Sequence, residues 1–373
     1  MKILHIITSL QTGGAETLVV NLMPRFHAMG HEVGVVVFNA VRTPLMERLE
    51  RECPGCKIYK LGSSYYNPWY IVKLWRIMRH YDIVHTHNSS PQLFVALANV
   101  ICHKKLVTTE HSTNNRKREQ GGILRLLDKW MYRQYDSVVC ISKIAEETLK
   151  EYLAYPHPLP EGKGDERAHS YNICTINNGV DVEAFRNALP LEELKTGRFG
   201  VVMVAGFREA KDQDTVIRAM AHLGDEYELW LVGDGERRHS LESTVESLEL
   251  KDRVRFLGLR SDIPAILHTA DVVVMSSHWE GLSLSNIEGM SVGKPFIASD
   301  VKGLREVTQG YGILFPHEDD EALAALIKQL HDDKTYYQQV ADKCYERAQQ
   351  FDIQKMVEKY NEVYEKVAKP SVR

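Results

Sequence analysis

The chain has 373 residues, 44% of them hydrophobic and 26% charged, with a formal net charge of -4 at pH 7. That length exceeds one ordinary core and suits two domains. The composition is that of a soluble globular protein, and the slight acidity removes a bulk electrostatic case for nucleic acid. No apolar run approaches the roughly 20 residues that span a bilayer.

The chain opens on Met1-Lys2-Ile3-Leu4-His5-Ile6-Ile7 and turns polar at Thr8-Ser9. That is too soon for a signal-peptide core, so 2–8 reads as a first buried strand of a cytoplasmic protein. Gly13-Gly14-Ala15-Glu16 then opens a helix. Two glycines there either bring backbone close to a ligand, with the free N–H groups of the helix start favouring an anion, or simply make a tight turn. They do not form the G-x-G-x-x-G fingerprint, which counts against a dehydrogenase. Leu18, Leu22, Phe26 and Met29 mark a helix ending at Gly30, and Pro24 inside it predicts a kink. Strands follow at 32–38 and 57–61. Between them Cys53-Pro54-Gly55-Cys56 lacks the second pair that zinc normally wants, and reads as a turn. Cys102, Cys140 and Cys174 lie in apolar stretches, as free thiols do.

The stretch 68–80 mixes Trp69, Ile71, Val72, Leu74, Trp75, Ile77 and Met78 with Lys73, Arg76 and Arg79. Arg116-Lys117-Arg118, Arg125, Lys129 and Arg133 continue the basic theme. Such a helix either packs into a core with a solvated basic face or lies in an anionic membrane surface. Strands at 82–86 and 105–109 end near His85-Thr86-His87 and Thr109-Glu110-His111. His87 and His111 can point into one cleft, where an imidazole takes a proton, holds a hydroxyl or lines an acceptor pocket. His85 reads as a packing residue turned away from His87. A strand at 136–141 is followed by 156–170, rich in Pro, Gly and charge, which reads as a mobile loop. The stretch 181–197 carries no strand. It sets the boundary between a domain of 1–183 and one of 184–351.

A second strand series runs 199–205, 228–232, 253–257, 271–275 and 294–298. Two rounds of alternating β and α elements predict an α/β protein with two doubly wound parallel sheets. In such sheets ligands sit beyond the carboxyl ends of the strands, and the remaining motifs fall there. Arg208 and Lys211, in Ala205-Gly206-Phe207-Arg208-Glu209-Ala210-Lys211, can neutralise a leaving diphosphate. Gly233-Asp234-Gly235 makes a tight turn beside a base or phosphate. The strongest signal is Glu280-Gly281-Leu282-Ser283-Leu284-Ser285-Asn286-Ile287-Glu288-Gly289-Met290. Its loop and helix start can receive a diphosphate. Glu288 can accept from two ribose hydroxyls, and Glu280 can reach the sugar or diphosphate. Asp212-Gln213-Asp214 mimics a metal-binding D-x-D, but opens a helix and reads as a cap with first-turn charge. No metal site is assigned.

With these residues in view, the chain resembles the family 4 retaining glycosyltransferases of GT-B fold, nearly end to end. The likeness rests on Gly13-Gly14-Ala15-Glu16, Asp82 to His87, Ile176-Asn177-Asn178-Gly179-Val180-Asp181, Lys211, Gly233-Asp234-Gly235-Glu236, the E-x7-E pair Glu280 and Glu288, and Gly303 with Glu306. The resemblance implies two Rossmann-like halves facing across a cleft. The C-terminal half would hold the nucleotide and the N-terminal half the acceptor, with the last helix, 352–369, crossing back onto the latter. It implies that Glu288 binds the ribose, that Leu284 and Ser285 lend N–H groups to the phosphates, and that Glu280 lies near the donor sugar. His111 matches the family's active-site histidine. One departure stands out. The family often carries an arginine where this chain has Gly206, so either Arg208 supplies that charge or Lys211 works alone.

The expected reaction is therefore a metal-independent hexosyl transfer with retention, in surface polysaccharide, lipopolysaccharide or glycolipid synthesis. Its site residues are His111, Lys211, Arg208 and Glu280, with His87 in the acceptor pocket and Gly13, Gly14, Gly206, Gly233, Gly235, Leu284, Ser285 and Glu288 on the donor. The donor is a nucleotide sugar, UDP first and GDP next by family frequency. There is no further cofactor, and the acceptor is a glycan or glycolipid at the inner face of a membrane. The alternatives are a nucleotide-sugar epimerase of the same fold and a non-catalytic nucleotide- or glycan-binding module. A phosphorylase would need a pyridoxal-phosphate lysine that the sequence does not place.

Overall fold

The structure is a computed structural model that describes residues 1–11, 13–64, 66–111, 123–154, 171–280 and 284–369. The chain forms two compact units, one of Met1–Asn178 with Met356–Arg373, the other of Gly179–Lys355. The division lies ahead of the boundary read at 183/184. Its cause is a short bridge: Val180 N–H donates to Phe351 O at 3.0 Å, and Ile353 N–H donates to Val180 O at 2.9 Å. These bonds tie residue 180 to the end of the second unit.

Unit 1 holds β1 (Lys2–Ile7), β2 (Glu32–Asn39), β3 (Lys57–Gly62), β4 (Ile83–His87), β5 (Lys105–Glu110), β6 (Ser137–Cys140) and β7 (Ile173–Thr175). They pair in parallel in the order β3-β2-β1-β4-β5-β6-β7. β1 and β2 are buried along nearly their whole length, because helices cover both faces of the sheet and leave no polar side. The helix Gly14–Ala28 runs through Pro24 as one element, and Gly30 beyond it adopts φ +86°, the left-handed conformation glycine tolerates. Cys53 and Cys56 are free and bracket a turn closed by Cys56 N–H to Cys53 O at 2.9 Å. From Met356 on, the chain packs into unit 1, burying Met356, Val357, Tyr360, Tyr364 and Val367 at helical spacing.

Unit 2 holds β8 (Phe199–Val204), β9 (Tyr227–Val232), β10 (Val254–Gly258), β11 (Val272–Met275), β12 (Phe296–Ser299) and β13 (Ile313–Phe315), all parallel, in the order β10-β9-β8-β11-β12-β13. The strands β7 and β13 were not expected. Each is a three-residue edge strand, too short to show a period. In unit 1 the order reverses between β1 and β4, and in unit 2 between β8 and β11. The two crevices that open there, beyond the carboxyl ends, are where a doubly wound sheet binds ligands.

Candidate active site

At the switch point of unit 1 the in-register pairing of β1 with β4 sets His5 beside His85. His87, two residues on, shares their face. The rings of His85 and His87 stack with centroids 4.4 Å apart. This corrects the reading of His85 as turned away, because residues two apart on a strand point the same way. The imidazoles join in one hydrogen-bonded chain. His111 Nε2 lies 2.9 Å from His87 Nδ1, and His87 Nε2 lies 2.9 Å from His5 Nδ1. His5 Nε2 reaches the Tyr364 hydroxyl at 3.1 Å, which reaches His85 Nδ1 at 2.5 Å. His85 Nε2 then meets Thr109 Oγ1 at 2.8 Å, and Thr109 meets the Tyr360 hydroxyl at 3.2 Å.

Burial sets the charge of this chain. It pulls His5 down to about 3 and His111 down to about 4. His85 and His87 are also held well below the usual imidazole range, first by burial and then by the neighbouring imidazoles. At neutral pH all four are uncharged. A neutral imidazole donates from one nitrogen and accepts at the other, which is what a linear chain requires. His87 is fully buried with both nitrogens engaged, so it lies behind His111 and does not line an acceptor pocket. Of the four, only His111 is partly exposed.

Gly13 is the extended residue before the helix Gly14–Ala28, and no side chain caps it. A Cβ on Gly14 would meet nothing within 4 Å, and one on Gly13 would meet only the flexible Glu16 carboxylate. Neither glycine is demanded by packing, and the Glu16 carboxylate lies against the helix start.

Unit 2 assembles its residues from the loops after β8, β9 and β11. Gly233 has φ +139°, and a Cβ there would stand 2.1 Å from Ala205 O; one on Gly235 would stand 2.5 Å from Phe207 O. Both glycines are therefore required for the β8 and β9 loops to lie against each other. Gly206 has room for a side chain, since its Cβ would lie 3.8 Å from Asp234 O and 4.0 Å from Arg208 Nε. Arg208 Nε stands beside the space that a side chain at position 206 would enter. Arg208 is exposed, and its guanidinium has no hydrogen-bond or ion-pair partner among the described residues.

Lys211 ends a short turn of 3₁₀ helix, Glu209–Lys211, and its ammonium pairs with the Glu280 carboxylate. Glu280 also accepts from Ser277 Oγ at 2.8 Å. The loop is stapled to the end of β11. His278 N–H donates to Ala210 O at 2.9 Å, and Ser276 Oγ donates to Asp212 O at 2.6 Å and Lys211 O at 3.2 Å. Gln213 donates to Gly206 O at 3.1 Å while its own Oε1 is buried without a partner. Asp212 caps the helix Gln213–Ala221, and Asp214 is held by Arg237 through contacts of 2.5 and 3.2 Å. The D-x-D carboxylates are thus engaged within the fold.

Beyond β11, Leu284 opens the helix Leu284–Ser291, which carries Ser285 and Glu288. The loop Gly281-Leu282-Ser283 lies outside the described residues, as do Arg116-Lys117-Arg118 and the stretch 156–170. Glu288 is half-buried, and its carboxyl has no hydrogen-bond or ion-pair partner among the described residues. Loss of solvent alone pushes its carboxyl up to about 7. Sequence reasoning missed His5, Thr109, Tyr360, Ser276, Ser277 and Gln213. The match of His5 with the His85-x-His87 pattern was a usable signal; the serines and Gln213 carried none.

This geometry can present the Lys211 and Arg208 charges to an anion, offer the Glu288 carboxyl to hydroxyl donors and present a neutral imidazole to a substrate. Residues 187–351 match the family described as glycosyl transferases group 1, and residues 12–160 match glycosyltransferase family 4. Over 320 residues the chain is 28% identical to the UDP-Gal:alpha-D-GlcNAc-diphosphoundecaprenol alpha-1,3-galactosyltransferase of Escherichia coli, covering 79% of this chain and 78% of that one. It is 26% identical to the N-acetyl-alpha-D-glucosaminyl L-malate synthase of Bacillus anthracis, covering 94% and 93%. The fold superposes on Anabaena HepE in complex with UDP with a TM-score of 0.79 at 20% identity, covering 98% of this chain and all of that one.

Proposed function

The chain belongs to the group 1 glycosyltransferases of GT-B fold, and from that premise we propose that it transfers a hexose, with retention, from UDP to the hydroxyl of a glycan or glycolipid. The observation that carries the donor half is Glu288. A half-buried carboxyl without a partner is costly unless something arrives to hydrogen-bond it, and the 2′ and 3′ hydroxyls of a ribose are two adjacent donors. The galactosyltransferase relative is named for UDP-Gal, and HepE was crystallised with UDP, which favours uridine over guanosine.

In the proposed reaction the acceptor oxygen bonds to the anomeric carbon as the bond to the diphosphate oxygen breaks. The acceptor proton leaves with the departing phosphate on the same face. No enzyme nucleophile takes part, so the protein's work is positioning and charge stabilisation. Lys211, Arg208 and the N–H groups of Leu284 and Ser285 meet the charge that grows on the diphosphate, and no metal serves the reacting atoms. Glu280 keeps Lys211 in place and faces the sugar. His111, neutral and backed by His87, holds a substrate hydroxyl in unit 1.

Unit 1 also carries the surface that would meet an anionic membrane. The packed helices Trp69–Met78 and Ser89–Cys102 expose Trp69 (73%), Val72, Val100 and Ile101 (68%) beside Lys73, Arg76 and Arg79. Apolar anchors among basic side chains suit the headgroup region.

Thermal stabilisation by UDP, GDP, ADP, CMP and NAD tests the donor reading, since a ligand of the native state raises the melting temperature by mass action. A shift with UDP alone, lost in Glu288→Ala, is expected. No shift with any of them would overturn it.

A further inference from the structure

Beside the Lys211 turn lies a side-chain cluster that sugar transfer does not use. His278 Nδ1 stands 2.7 Å from Nε2 of His317, 3.4 Å from Oε1 of Glu318 and 3.9 Å from Oδ2 of Asp212. The ligand atoms of Asp212, His278 and His317 all lie within 4.8 Å of one another. Asp212 is buried, His278 half-buried and His317 exposed, so the cluster is rooted in the fold and open to solvent. Two of the residues hold left-handed backbone without being glycine: Asp212 at φ 47° and Glu318 at φ 63°. Such conformations cost about 1–3 kcal/mol and tend to persist at functional positions. Here both turn a carboxylate toward the same imidazole.

One divalent cation can engage Asp212, His278 and His317 at once. We propose that Asp212, His278 and His317 bind one Zn²⁺-class metal ion, with Glu318 standing beside His278 at its rim. Tetrahedral zinc has bonds of roughly 2.0–2.2 Å to imidazole nitrogen and carboxylate oxygen, which sets neighbouring ligand atoms about 3.3–3.5 Å apart. From His278 Nδ1, His317 Nε2 stands at 2.7 Å and Asp212 Oδ2 at 3.9 Å, on either side of that value, and the three ligand atoms all lie within 4.8 Å of one another. Opening the histidine pair and drawing in Asp212 are side-chain movements. Two imidazoles with a carboxylate select zinc-class metals over Mg²⁺ or Ca²⁺. Asp212 is steadied from behind, since Thr215 Oγ1 donates to its Oδ2 at 2.6 Å, an outer contact of the kind that orients metal-binding carboxylates.

The ion would cross-link three segments: the turn that ends in Asp212, the end of β11 at His278, and the 316–318 turn after β13. Lys211 immediately precedes Asp212, so metal at this site would hold the Lys211 backbone. The ion is structural and does not touch the reacting atoms. Metal binding therefore stands or falls independently of the transfer reading, which the UDP shift and Glu288→Ala test.

The full chain, stripped with chelator and dialysed, is titrated with Co²⁺. The expected result is the visible absorption of tetrahedral Co²⁺, saturating at one equivalent per chain, bleached by Zn²⁺ and accompanied by a rise in melting temperature. His317→Ala is exposed and should fold. It is expected to weaken Co²⁺ binding more than about 100-fold, since even outer-shell losses reach 10–100-fold. Glu318→Gln should weaken it less. Absence of a tetrahedral band, or a band that survives unchanged in His317→Ala, would overturn the proposal.

Discussion

Glu288 and Lys211 carry the sharpest expectations at the scale of single residues. In the free protein burial raises the Glu288 carboxyl to about 7, and two hydroxyl donors would lower it again by favouring the charged form. Binding then prefers the ionised acid. UDP affinity should rise as pH increases toward 7, level off above it, and fall on the acid side, with proton release on binding near pH 6. Calorimetry in buffers of different ionisation enthalpy checks this, and Glu288→Gln should flatten the profile. The same raised value costs stability: the native state holds a proton that the unfolded chain gives up, so stability falls as pH rises from the carboxylate range through 7. Lys211→Ala should cut turnover about 10²–10³-fold with a smaller change in UDP affinity. Equal turnover would remove its role.

Elements set the next expectations, because both crevices are made where loops from neighbouring strands meet. Gly233 lets the β8 and β9 loops touch. Gly233→Ala should cost about 1–3 kcal/mol from backbone strain alone, more from the clash with Ala205 O, read as a drop in denaturant midpoint. The histidine chain ties β1, β4 and β5 to the C-terminal helix through Tyr360 and Tyr364. Its imidazoles titrate far lower in the folded protein than in the unfolded chain, so the unfolded chain takes up protons first as pH falls. Stability is full above about 6.5 and should decline from there toward 4, where His111 begins to protonate in place. Melting temperature against pH measures it. Tyr364→Phe leaves ring nitrogens of His5 and His85 without their partner and should cost about 1–3 kcal/mol.

For the whole molecule the expectation concerns the surface of unit 1. Full-length protein should co-sediment with anionic vesicles at low salt and release as salt screens the basic side chains. Replacing Trp69 and Val72 together with serine should weaken binding while leaving the UDP-induced thermal shift intact. No binding to anionic vesicles at low salt would remove the membrane from the proposal.

The two sheets, most of their parallel strands and the strand-end motifs were legible in the sequence, while the three-residue edge strands β7 and β13 were not. Continuous apolar runs mark strands buried on both faces, and glycines and charges gather where those runs stop. The pairing of Glu280 with Glu288 around a helix start was readable for the same reason, as was the cap at Asp212. Tertiary structure decided what each group faces. His87 looked like a pocket residue because it ends a strand, yet packing of the C-terminal helix and of His5 enclosed it. Lys211 and Glu280 lie 69 positions apart and are brought together by the adjacency of β8 and β11 at the switch point. His278, His317 and Asp212 meet where loops after β11, β13 and β8 converge beyond the carboxyl ends of one sheet. Chemical type and local period are written along the chain; partners, burial and the protonation states that follow from them arise only when distant segments exclude water together.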